Sequence, residues 1–189
     1  LGFIGTGNIV SDVVIGISKS KIKYKKIIIS PRNKKKALFL KKYFKKVTIA
    51  KDNQDVINKA DWVFLGVLPK VGEAILPKLQ FKNNQIIVSF LSTTNYQKLK
   101  KLIKTKSVII RAIPMPPIRL AKGPVAIFPP NKKVKNFFDK IGTTIEIRNE
   151  KLSKNFWVIS GTMATFYELL NVLSKWLIRK KTNERDAQK

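Results

Sequence analysis

Neither cysteine nor histidine occurs among the 189 residues of this chain, and methionine occurs only twice. Their absence excludes disulfides, zinc sites with the usual sulfur and imidazole ligands, thiol nucleophiles and imidazole acid–base catalysis together. No metal is therefore expected, and chemistry must fall to Lys, Tyr, Ser, Thr, carboxylates or a bound cofactor. Acids are also scarce: 11 Asp and Glu stand against 39 Lys and Arg, a formal net charge of +28. Such a balance suits a polyanionic partner. The lysines, however, are spread over nearly every predicted helix surface, beside abundant Ile and Asn of the kind codon bias alone produces. No RNA- or DNA-reading motif accompanies them, so the reading is a solvated basic surface without a nucleic-acid partner. A membrane span is not expected either, because the longest apolar stretch, 156–178, contains Glu168, Asn171 and Lys175.

What is present is a hydrophobic fraction of 44%, enough to bury a sizeable core. Short continuous apolar runs alternate with helically spaced segments, the pattern of βαβ units building a parallel sheet. Strands are predicted at 1–4, 26–30, 47–50, 62–67, 86–90 and 108–113, with helices from Asn8, at 33–44, at 52–59, through Leu76 and at 95–103. Pro114, Pro116 and Pro117 lack ladder donors, so 114–117 is predicted to leave the sheet as an extended loop. Antiparallel edge strands at 125–128 and 143–147, flanking a helix at 132–141, complete this part. From about Lys151 the chain reads as one long helix, with Ile159, Met163, Phe166, Leu170, Leu173 and Leu177 at alternating spacings of four and three. Its apolar stripe is too wide for one sheet to cover, so packing against further helices and a second subunit is expected. The chain starts inside a strand-like run and ends without a stop signal, and it is expected to be part of a longer reading frame.

Between the first strand and the first helix lies Gly2-Phe3-Ile4-Gly5-Thr6-Gly7-Asn8-Ile9-Val10, where a dinucleotide fingerprint belongs. Gly5 permits the tight turn, Gly7 lets the backbone approach a pyrophosphate, and the following helix start supplies open N–H groups and a favourable dipole. The usual third small residue is Val10 here, whose branched side chain helix–sheet packing must absorb. The end of the second strand speaks to cofactor choice. No acid occurs between Asp12 and Asp52 to hold ribose hydroxyls; Ser30-Pro31-Arg32-Asn33 stands there instead. A hydroxyl, a guanidinium and an amide at one strand end suit a 2′-phosphate, so NADP(H) is expected over NAD. Asn53 either caps the third helix or touches the adenosine side.

GFIGTGN, SPRN, DNQDVINKADWVFLGVLP, RAIP and SGTMATFYELL occur in the order found in pyrroline-5-carboxylate reductases, and on these segments the chain resembles that family along almost its whole length. The resemblance implies an α/β fold: a Rossmann-type doubly wound NADP-binding domain over 1–149, followed at 150–189 by the first long helix of an all-α dimerisation domain. It also implies a cytoplasmic enzyme that forms a homodimer or higher homo-oligomer through its C-terminal helices. Carried over by position, Gly5, Thr6, Gly7, Asn8 and Ile9 would cradle the pyrophosphate, and Ser30, Arg32 and Asn33 the 2′-phosphate. Asn53 would lie near the adenine ribose, Val67 and Pro69 beside the nicotinamide, and Ser160, Gly161 and Thr162 near substrate. Two departures stand out. Leu68 occupies a position where the family usually has Lys, and Ile113-Pro114-Met115-Pro116-Pro117 replaces a loop that in the family carries an amide and a hydroxyl beside the nicotinamide pocket.

Reduction of a cyclic imine needs a hydride and little else, since the ring nitrogen is basic enough to be protonated in water; the lack of histidine agrees with this. The expected function is thus NADPH-dependent reduction of 1-pyrroline-5-carboxylate, a small-molecule imine, to proline. A helix start near Ser160 to Thr162 would offer N–H groups to the substrate carboxylate, and Thr162 and Thr165 are the candidate catalytic hydroxyls. Two alternatives stand beside it. One is an NADP-dependent 3-hydroxyacid dehydrogenase, which would use a Lys in the first turns of the long helix; 160–173 contains none. The other is a non-catalytic NADP-binding module.

Overall fold

The computed structural model describes residues 1–153, 155, 162, 163 and 165–188. The chain divides into two compact units, Leu1–Glu150 and Lys151–Lys189. In the first, strands β1 (Gly2–Ile4), β2 (Ile27–Ile29), β3 (Val47–Ile49), β4 (Trp62–Leu65), β5 (Ile86–Ser89), β6 (Val108–Pro114), β7 (Pro124–Phe128) and β8 (Thr143–Glu146) form one sheet in the order β3-β2-β1-β4-β5-β6-β7-β8. From β3 to β6 all neighbours are parallel. Helices α1 (Asn8–Lys19), α2 (Lys34–Tyr43), α3 (Asn53–Lys59), α4 (Pro69–Ile75), α5 (Tyr96–Leu102) and α6 (Lys132–Phe138) accompany the strands, giving the doubly wound α/β architecture expected from the alternating pattern.

The strands are short and apolar because both faces are covered. Alternation sends successive side chains to opposite faces. Phe3 and Phe64 join one core with Val10, Val13, Val14 and Ile17 of α1, whereas Ile4, Val63 and Leu65 join the other with Val56, Ile57 and Leu99. Phe3 and Phe64 stack at 4.5 Å between centroids, at the point where the sheet turns from β1 to β4. Each of these fully buried rings contributes about 1.5–3 kcal/mol relative to exposure.

Two expectations change after β6. Pro114 remains in the sheet, paired with Val125, because a proline at the end of a strand gives up only a terminal donor; the chain then enters a short 3₁₀ turn, Pro116–Leu120, rather than an extended loop. That turn lies on α1, where a Cβ added to Gly16 would sit 3.3 Å from the Ile118 carbonyl carbon. Further on, β7 is antiparallel to β6 as anticipated, but β8 pairs with β7 in parallel, with α6 between them as the crossover.

Val10, the departure in the glycine fingerprint, is fully buried, and its Cγ2 occupies the space that a Cβ of Gly66 would need. The small residue missing from α1 is thus supplied by the strand–helix connection it packs on. Gly66→Ala alone is expected to cost about 1–3 kcal/mol through overpacking, and Val10→Ala alone to leave a small cavity. The double variant should be more stable than the sum of the two losses by about 1 kcal/mol or more. Denaturant unfolding of the four proteins measures this coupling, and strict additivity would refute the exchange of volume.

The second unit holds most of α7 (Glu150–Arg179) and the short α8 (Glu184–Ala187), the latter capped by Asn183 accepting from Asp186 N–H at 2.9 Å. Phe166, Tyr167, Leu169, Leu170, Val172, Leu173, Trp176 and Ile178 are all exposed along α7. No helix is long and apolar enough to cross a membrane among the described residues.

Candidate functional site

The turn from β1 into α1 is built from a glycine backbone and two buried side chains, Thr6 and Ser30. Gly5 has φ +95°, a conformation that costs an L residue dearly, and a Cβ there would lie 2.7 Å from the Gly66 carbonyl carbon and 2.9 Å from Val67 Cγ1. Its N–H donates to Ser30 Oγ at 2.9 Å, and Thr6 Oγ1 donates to the Ser30 carbonyl at 2.8 Å. Ser30 and Thr6 are both buried. The expectation that Ser30 faces a phosphate is corrected by this placement: its hydroxyl is spent beneath the turn, tying β2 to the glycine backbone, and it does not line the groove above.

Gly7 behaves differently. Its φ of −80° is open to any residue, and a Cβ there would meet nothing within 4 Å. No contact inside the chain requires glycine at this position. A backbone stripped of its side chain beside open space fits a group that must approach closely from outside, which is the test a dinucleotide phosphate would set.

The caps of the helices point the same way. Asn33, Asp52, Asn95 and Asn131 cap α2, α3, α5 and α6 by accepting from Lys36, Asp55, Lys98 and Val134 N–H groups. By contrast, α1 and α4 have no side-chain cap among the described residues. Their starts, Gly7 with Asn8 and Leu68 with Pro69, both open on one groove of about 1000 Å³. The chain satisfies its open N–H donors where nothing else would, and leaves them free where a ligand can take them.

The groove runs over the C-terminal ends of the strands, across the switch from β1 to β4 where the strand order reverses. Gly5, Thr6, Gly7, Asn8, Ile9, Arg32, Asn33, Val67 and Pro69 of the expected set all line it, and no Asp or Glu does so among the described residues. Lys34, Gly66, Leu68, Val71, Phe90 and Ser92 complete the lining. Apart from Leu68, already marked as a departure from the family, these were not singled out from the sequence, although Phe90 and Ser92 follow the end of a strand and Lys34 follows Arg32 and Asn33 at a helix start. One end is cationic, with Arg32 and Lys34 exposed, and Lys36 reaches across from α2 to donate to Asn8 Oδ1. The other end is apolar, formed by Val67, Leu68, Val71 and Phe90. Leu68 is 74% exposed, so its side chain stands at the rim. The nearby acid, Asp12 on α1, has its carboxyl held above the usual range by burial, while Arg119 and Lys36 pull it back.

Asn33 does double duty as lining residue and cap, its Oδ1 accepting from Lys36 N–H at 3.2 Å. Asn53 is not a cap: Asp52 takes that role at 2.8 Å, and Asn53 opens α3 without lining the groove. The apolar run 113–117 does not line it either; Ile118, just beyond, is buried against α1. In the second unit, Thr162 and Thr165 are exposed on α7. Because that helix starts at Glu150, the N–H of Thr162 is not one of the open donors of a helix start, contrary to expectation. Ser160 and Gly161 lie outside the described residues. Among the described residues no cluster of potential metal ligands occurs.

Residues 1–93 match the family model described as NADP oxidoreductase coenzyme F420-dependent. In sequence the chain is similar to the pyrroline-5-carboxylate reductase of Haemophilus influenzae, at 23% identity over 198 residues covering 100% of this chain and 72% of that protein. In fold it is similar to the 1-pyrroline-5-carboxylate reductase of Streptococcus pyogenes, with a TM-score of 0.80 at 24% identity, covering 99% of this chain and 73% of that one. The pyrroline carboxylate reductase of Plasmodium falciparum, solved with NADP bound, superposes with a TM-score of 0.83 at 19% identity over 99% of this chain and 72% of that one.

Proposed function

We infer that this chain, an NADP-dependent oxidoreductase of the pyrroline-5-carboxylate reductase-like family, reduces a cyclic imine, most specifically 1-pyrroline-5-carboxylate to proline. The observation that carries this reading is the acid-free groove onto which the two uncapped helix starts open, one end basic and the other apolar. A phosphorylated dinucleotide has that polarity. The N–H groups of Gly7, Asn8 and Ile9 suit its pyrophosphate. Arg32, with Lys34 and Asn33 beside it, suits the 2′-phosphate, for which a guanidinium offers planar charge-assisted hydrogen bonds. Ser30 holds the turn rather than the phosphate, and Asn53, at the start of α3 and off the groove lining, is assigned to the adenosine side. Val67, Leu68, Pro69, Val71 and Phe90 shield the far end from water, where little charge needs solvating.

When bound, NADPH supplies a hydride from its nicotinamide C4 to the imine carbon. The imine nitrogen takes its proton from water beforehand, so no side chain has to act as acid, in keeping with the absence of histidine. Thr162 and Thr165, with Ser160, are assigned to the substrate side as hydroxyl donors. Residues 1–149 then act as the NADP-binding domain and 150–189 as the start of a helical dimerisation domain. The exposed apolar side chains along α7 support a homo-oligomer assembled through such helices.

The direct test follows NADPH absorbance at 340 nm (a property of the reduced nicotinamide ring) in the presence of 1-pyrroline-5-carboxylate. Cofactor oxidation that requires the imine is the expected result. Tight NADPH binding without oxidation would reduce the chain to a binding module, and no binding at all would overturn the reading.

A further inference from the structure

Beneath Ser92 of the groove lining sits a charged pair that does not itself line the groove. Arg111 lies on β6 and is 5% exposed. Its Nη1 donates to Glu150 Oε1 at 2.5 Å and its Nη2 to the carbonyl oxygen of Ser92 at 2.7 Å. The same carboxylate oxygen accepts the N–H of Tyr96, the first residue of α5, at 2.7 Å. These anchors hold the segment 92–96, by which the chain passes from β5 to α5, and Ser92 within it lines the groove. The Nε of Arg111 is buried with no partner among the described residues. An ion pair out of water contributes little net stability, since desolvation offsets its attraction, and an unsatisfied donor subtracts from even that. What the pair supplies is position: one end of a groove segment is tied to Arg111 on β6 and the other to the Glu150 carboxylate that Arg111 holds.

We propose that Arg111 and Glu150 are positioning residues that fix the Ser92 segment, and thereby the floor of the groove at its β4–β5 end. The inference rests on the dinucleotide reading, in which that end receives the nicotinamide half while the adenosine half lies over β2. A shift of the segment then loosens the grip on the nicotinamide without disturbing the adenosine phosphate. A brace of the whole domain would instead weaken both halves alike.

The test compares NADPH with 2′,5′-ADP, which carries only the adenosine half, by calorimetric titration of the unaltered chain, Arg111→Met and Glu150→Gln, with melting temperatures recorded in parallel. Arg111→Met should weaken NADPH on the order of tenfold or more, since small misplacements of a supporting shell carry such losses, and leave 2′,5′-ADP within about twofold. Glu150→Gln keeps the shape and the acceptor oxygen, so it should fold whether or not Arg111→Met does, and it should show the same split at smaller amplitude. Equal losses for both ligands, or no loss for either, overturn the proposal while leaving the dinucleotide reading intact. Failure of the unaltered chain to bind either ligand overturns both together.

Discussion

Gly7→Ala should abolish dinucleotide binding while leaving the fold standing. Two effects on stability oppose each other. Alanine is a poorer residue than glycine at a helix N-cap by about 1 kcal/mol, but it restricts the unfolded chain and recovers about 0.4–1 kcal/mol. The backbone at Gly7 accepts a side chain without strain and its Cβ would meet nothing within 4 Å. The melting temperature should therefore move by no more than about 3 °C. The methyl group would nonetheless stand where a pyrophosphate has to lie against the helix start, and NADPH affinity should fall on the order of 100-fold or more, equivalent to about 2.7 kcal/mol. Gly5→Ala provides the contrast. There φ is +95° and the added carbon runs into Gly66 backbone and Val67, so stability and binding should fall together, the former by several kcal/mol. Fluorescence titration with NADPH beside thermal denaturation separates the two outcomes. Undiminished binding by the Gly7 variant would mean that nothing approaches that backbone.

Arg32→Ala should weaken NADPH binding about 10- to 100-fold and leave NADH binding within about twofold, the difference expected for a charge-assisted hydrogen bond worth about 1.5–3 kcal/mol. Arg32 is exposed, so the substitution should not disturb folding. Lys34 lines the same end of the groove and can retain part of the attraction, and Lys36 stands behind it on α2. The double change Arg32→Ala with Lys34→Ala should therefore go further than the single one, and raising the salt concentration should narrow the gap between NADPH and NADH in the unaltered chain. Equal losses for the two cofactors would remove the 2′-phosphate from this end.

Several features of the site were legible before the fold because they are local. A glycine that must take a positive φ, a missing side chain beside a helix start, and the lack of any acid from Val13 to Lys51 are properties of consecutive residues. The strands were legible for the same reason: KIIIS and WVFLGV have no polar face and must be covered on both sides. Other features were not. Ser30 looked like a phosphate ligand because it ends a strand beside Arg32, and only the packing of β2 against the glycine turn turns its hydroxyl inward. Asn33 and Asn53 looked alike as residues, yet Asn33 caps its helix and Asn53 does not, since Asp52 precedes it.

The amino-acid order by itself determined the alternation of strand and helix, the place of the glycine turn and the sign of the charge beside it, because each is set by backbone sterics and side chains within a few residues. The tertiary structure alone decided that Val10 and Gly66 share one volume, that β8 runs parallel to β7, that α1 and α4 open uncapped on the same groove, and that Arg111 reaches Ser92 and Glu150. Each of these depends on which distant segments come into contact. Burial and hydrogen-bond satisfaction are settled only after the whole sheet has closed, so short-range pattern carries no record of them.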